Sequence, residues 1–71
     1  MQLSEALRRF RKEYGVTQKQ AAQAGGVNER NYQGYEYDKV IPTVTVIMNL
    51  ANKYDVSTDY LLGLSDNPAR L

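Results

Sequence analysis

The sequence has no cysteine and no histidine. No disulfide and no zinc site built on those residues can brace the fold. Cysteine nucleophiles and histidine acid–base chemistry are excluded with them, and neither a metal nor a cofactor is expected. The lack of cysteine fits a reducing cytoplasm. Long apolar stretches are missing too. The chain opens Met1-Gln2-Leu3-Ser4-Glu5 with no signal-peptide core behind it. The run Val46-Ile47-Met48 falls far short of the ~20 residues of a membrane span. The expectation is a cytoplasmic chain with no membrane partner.

Strong charge of one sign is also lacking: the net charge is +1. Its distribution is uneven, +2 over residues 1–39 and −1 over 40–71, so the first half is the better candidate to face phosphates. At 71 residues the chain holds one domain. A chain of this size buries only about 60% of its unfolded surface, so its core must be efficient or helped by a partner. Asp55 and Asp59 stand four apart, but a catalytic carboxylate pair needs a pocket that so small a chain does not easily make. No enzymatic activity is expected.

What is present is helical period punctuated by caps. Leu3, Ala6, Leu7, Phe10 and Tyr14 mark one face of a helix over 3–14, stopped by Gly15. Thr17, with Gln20 three residues on, opens a second helix over 18–24 that Gly25-Gly26 ends. Asn28 caps a third, from Glu29 to about Tyr37, and Asp38 to Pro42 reads as a loop. Thr43 caps a fourth over 44–54, and Ser57 a fifth over 58–62, closed by Gly63. Pro42 and the helical period after it argue against a hairpin around Val40-Ile41. These signals predict an all-α, compact five-helix domain over 1–64, a tail over 65–71, and one core of Leu7, Phe10, Val27, Tyr32, Tyr35, Ile47, Leu50 and Leu61. Tyr14, Tyr54 and Tyr60 are assigned to the core on their spacing. Arg8, Arg9, Arg11 and Lys12 are assigned to a solvated face plus one ion pair.

Residues 18–37 have the helix, tight turn, helix spacing of a helix-turn-helix, with Ala22 at the close approach and Gly26 at the turn. Tyr37, at the end of the third helix, can reach a sugar-phosphate backbone. Thr17-Gln18, Ala22, Gly26-Val27, Tyr35-Glu36, Lys39, Pro42-Thr43, Leu50-Ala51 and Val56-Ser57 through Leu61-Leu62-Gly63 resemble the phage-repressor and Cro-like family, also called the xenobiotic-response-element type. The resemblance runs over about residues 3–64. It implies a lambda-repressor-like DNA-binding domain whose third helix lies in the major groove.

It further implies roles. Glu29, Arg30 and Gln33 match positions that face base edges, with cytosine N4, guanine and adenine as their natural partners. Gln18, Thr17, Asn28, Asn31 and Lys39 join Tyr37 as phosphate contacts. Arg11 and Glu36 form an ion pair between the first and third helices. Tyr60, Leu61, Leu64 and the tail to Leu71 form a dimer surface. The implied partner is double-stranded DNA, bound by a homodimer that is weak off the operator, with no small-molecule effector. The implied function is a transcriptional regulator that represses. A protein-interaction module, an antitoxin or adaptor on the same fold, is the alternative. The sequence departs from the family pattern at Ala21, Gly25, Gly34, Tyr37, Asp38, Val40 and Ile41. Gly34 in particular stands where a reading side chain is common.

Overall fold

A computed structural model describes residues 1–70 and consists of five helices: α1 (Leu3–Tyr14), α2 (Gln18–Gly25), α3 (Glu29–Glu36), α4 (Val44–Tyr54) and α5 (Thr58–Leu62). No strand occurs among the described residues, in agreement with the all-α expectation. Two helix ends move by a residue: α2 takes in Gly25, and α3 stops at Glu36 with Tyr37 as its C-cap.

The caps explain the boundaries. Thr17, Asn28, Thr43 and Ser57 each accept a hydrogen bond from the backbone N–H three residues on. At α1 no such residue stands ready, and Glu5 reaches back to the Gln2 N–H at 3.1 Å instead. All five helices end alike. The N–H groups of Val16, Val27, Lys39, Val56 and Leu64 donate to the carbonyls of Arg11, Ala22, Gly34, Ala51 and Asp59, at 2.8–3.1 Å. The residue before each donor is left-handed: Gly15, Gly26, Asp38, Asp55 and Gly63.

Leu7, Phe10, Tyr32, Tyr35, Ile47, Leu50 and Leu61 are buried as expected, joined by Val16, Ala21, Ala22, Val46, Ala51, Val56 and Tyr60. Val27 is only half-buried, at the rim of this core. Tyr14 corrects the reading from spacing: it is exposed, with one side of its ring against Phe10 and Tyr60, because Gly15 ends α1 at the core's edge. Tyr54 is half-buried and meets Phe10 edge-on. The small residues of α2 have a clear purpose. Ala21 and Gly25 are buried, and a Cβ on Gly25 would lie 3.1 Å from Val46 Cγ1, so α4 crosses α2 at close range. The Asn49 amide then donates to the Gly25 carbonyl at 3.0 Å.

Residues 65–70 have no helix but are tied down. The Pro68 carbonyl accepts from Ser57 N–H at 2.9 Å, and Arg70 donates to Asn52 at 2.9 Å. Beside them, Met1 lies against Gly63, where a Cβ would come within 2.4 Å of the Met1 carbonyl. Leu71, named with the expected tail, lies outside the described residues.

Candidate nucleic-acid interface

α2 and α3 meet across the turn Gly26–Asn28, and Gly26, at φ +82°, makes that turn possible. α3 buries Tyr32, Tyr35 and Glu36 inward. Its period of 3.6 residues per turn therefore sends Arg30, Gly34 and Tyr37 straight outward, with Gln33 and Asn31 on the flanks. Glu29, Arg30, Asn31 and Tyr37 are exposed and Gln33 half-buried; Arg30, Asn31, Gln33 and Tyr37 line one depression, whereas Glu29 lines another with Arg8, Arg11 and Lys12. Lys39, in the loop that follows, is exposed beside the first.

The expected phosphate ligands divide. Thr17 and Asn28 are both exposed, but their side-chain oxygens are committed to capping α2 and α3. The N–H groups at the two helix starts still face outward, where an anion is favoured. Gln18 turns inward instead. Its amide nitrogen donates to Glu36 Oε1 at 3.2 Å, and its oxygen accepts from Gln33 Nε2 at 3.2 Å. Gln18 thus links the buried charge at the end of α3 to the Gln33 side chain.

That charge is Glu36, fully buried and gripped by Arg11 through Nε at 2.5 Å and Nη2 at 2.8 Å. Burial alone would raise the carboxyl's pKa. Hydrogen bonding from Arg11 and Gln18 outweighs it, and the group stays ionised below its ordinary range. The Arg11 guanidinium is held above its own ordinary value, chiefly by its hydrogen bond to Glu36. Burial, then Glu36, pushes the Tyr32 phenol far up, and its hydroxyl has no partner in good hydrogen-bond geometry among the described residues.

Of the basic residues of α1, Arg8 and Lys12 are exposed and Arg11 makes the expected ion pair, but Arg9 is drawn in, and both Arg8 and Arg9 bond to other elements. Arg8 donates to the Glu36 carbonyl at 2.5 Å, neutralising the C-terminal end of α3. Arg9 donates to the Tyr60 and Ser65 carbonyls and to Asp66, with its guanidinium 4.1 Å above the Tyr60 ring. Tyr60 donates in turn to Glu13 at 2.8 Å, and burial with that bond pushes its phenol up to about 12. Only Lys12 of the four extends into solvent without a hydrogen-bonded or ionic partner among the described residues. Of the residues expected at a dimer surface, Tyr60 and Leu61 lie inside the chain's own core, while Leu64 and the tail residues Asp66 and Arg70 are exposed. The reason is the shortness of α5: both its bulky residues are needed to close the core against α1.

Sequence spacing did not single out a second exposed surface. Ile41, Val44 and Met48 are exposed apolar residues lining one groove with Leu3, Ile47 and Leu62. The groove begins two residues after Lys39. No group of residues suited to hold a metal ion occurs among the described residues, and no helix there is long and apolar enough to cross a membrane.

Comparison with known proteins adds to this geometry. The helix-turn-helix family profile matches residues 7–61. An uncharacterised HTH-type transcriptional regulator of Bacillus subtilis (strain 168), YobD, is 41% identical over 90% of this chain and 57% of its own length. The HTH-type transcriptional regulator ImmR of the same organism is 41% identical over 89% of this chain and 50% of its own length. A crystal structure of a transcriptional regulator from Listeria innocua superposes with a TM-score of 0.77 and 31% identity, over 87% of this chain and 58% of that one. The chain thus spans between half and three fifths of the length of these relatives.

Proposed function

The chain belongs to the helix-turn-helix family, and from that membership we propose that it is a cytoplasmic DNA-binding regulator that represses transcription by occupying an operator. The observation that carries this reading is the outward ridge of α3. Glu29, Arg30, Asn31, Gln33 and Tyr37 project from a helix braced at both ends, by Asn28 at its start and by Arg8 and Arg11 at its finish. A helix held this way presents hydrogen-bonding side chains to base edges at little entropic cost. The N-termini of α2 and α3 and Lys39 supply phosphate contacts around it.

Two copies on half-sites one helical turn apart complete the proposal. A single module covers only about 600–1,000 Å², too little for strong specificity. The apolar groove at Ile41, Val44 and Met48 takes over the dimer contact from Tyr60 and Leu61. It stands beside the DNA-facing loop and is the kind of exposed patch that marks an interface.

The test is binding to mixed-sequence DNA across a salt series, then operator selection from random DNA. A steep salt-dependent loss of affinity and a palindromic selected site are expected. No binding at low salt would overturn the reading.

A further inference from the structure

The outward ridge of α3 has a gap at its centre. Gly34 lies one turn beyond Arg30 and one turn before Tyr37–Asp38, on the side opposite the buried Tyr32 and Glu36. The space is not left to solvent. A Cβ on Gly34 would stand 3.0 Å from Val40 Cγ2, so a loop side chain occupies the place of the missing helical one. The left-handed Asp38 turns the chain back, and the Lys39 and Val40 N–H groups both donate to the Gly34 carbonyl, at 2.9 and 3.3 Å. Val40 remains 52% exposed although it is pinned there. A shallow depression results, with an apolar centre at Gly34 and Val40 and polar walls from Arg30, Gln33 and Tyr37.

We propose that this notch reads a thymine through its C5-methyl group, making Val40 a specificity-determining residue although it is not on the reading helix. The proposal rests on the reading that α3 enters the major groove. In that groove the base edges present donors, acceptors and one apolar group, the thymine methyl. Val40 and Gly34 offer the notch no side-chain hydrogen bond, so a donor or acceptor facing it is left without a partner, whereas a methyl against the valine loses only water.

The test begins from an operator selected from random DNA. Each thymine of a half-site is replaced singly by deoxyuridine, which removes only the methyl, and affinity is measured at fixed salt. One thymine per half-site is expected at which the replacement weakens binding about fourfold, the worth of one buried methyl. Val40→Ala should weaken binding to the thymine operator by a similar factor and abolish the thymine–uracil difference at that position alone. Val40 is half in solvent, so the variant is expected to fold, and helical circular dichroism verifies that. Gly34→Ala, which suits a helix better but pushes Val40 aside, should also reduce the difference. Sequence-specific binding indifferent to every deoxyuridine replacement would overturn the proposal and leave the DNA-binding reading standing. So would a Val40→Ala protein with an unchanged thymine–uracil ratio. Failure to bind DNA at any salt concentration would overturn both.

Discussion

Arg11 on α1 holds both carboxylate oxygens of Glu36 at the end of α3, and Arg8, one turn earlier, holds that residue's carbonyl. α3 is therefore fixed to α1 through its last residue. Removing one partner leaves a buried charge uncompensated, so Glu36→Ala should cost about 3–5 kcal/mol. The isosteric Glu36→Gln should cost less but still lower the melting temperature measurably, at about 4–8 °C per kcal/mol for a domain of this size. The folded carboxyl titrates below its ordinary value of 4.5. Its contribution is therefore complete above that pH and lost as the pH falls beneath it, through the lowered folded value. Acid unfolding followed by circular dichroism should be steeper for the native chain than for Glu36→Gln. Equal curves would show that the pair does not stabilise the fold.

Asp38 adopts φ +60°, a conformation that costs a residue with a Cβ about 1 kcal/mol or more. Asp38→Gly should stabilise the domain by about 0.5–1 kcal/mol after the entropy of glycine is counted. It also removes a negative charge one residue from Lys39, so affinity for DNA should rise at low salt. A lowered melting temperature would show that the aspartate is not strained.

Lys39→Ala should weaken binding to all DNA sequences alike and flatten the salt dependence by about one unit. Gln18→Ala should behave differently, because Gln18 spans Glu36 and Gln33. Freeing Gln33 should relax base preference at one position of the half-site. Competition between the selected operator and its single-base variants separates the two effects. Identical profiles for the two variants would refute the positioning role.

Val44→Asp places a charge in the exposed apolar groove without disturbing a buried residue. It should leave the stability within about 0.5 kcal/mol of the native chain. Analytical ultracentrifugation on a two-half-site operator should give one variant chain where the native protein gives two. An unchanged stoichiometry of two would place the dimer contact elsewhere, with Leu64 the next surface to test.

The helices were legible because period and caps agree at Thr17, Asn28, Thr43 and Ser57. The outward side of α3 around Arg30 was legible for the same reason: where Tyr32 and Tyr35 go in, their neighbours go out. Long side chains escaped this logic. Arg8 and Arg9 sit at outward or edge positions of α1, yet their guanidinium groups reach carbonyls on α3, α5 and the tail. Spacing placed Tyr60 and Leu61 in the core, where both are buried, and a five-residue helix leaves them no second face to offer a partner. Gly34 read as a loss of contact, since the valine that fills its place comes from six residues on and only the turn at Asp38 brings it back.

The clasp between the first residue and the end of α5 has a mechanical meaning. The Met1 ammonium donates to the Gly63 carbonyl at 3.3 Å, and Arg9 anchors Ser65 and Asp66 to α1. Tension applied between Met1 and Arg70 is met by these bonds and by those that tie Arg70 to Asn52 and Pro68 to Ser57, a circuit of α1, α4, α5 and the tail. α3 joins it at one end, through Arg8 and Arg11 at Glu36, so a pull on the two termini is shared among the bonds of the clasp before it reaches α3.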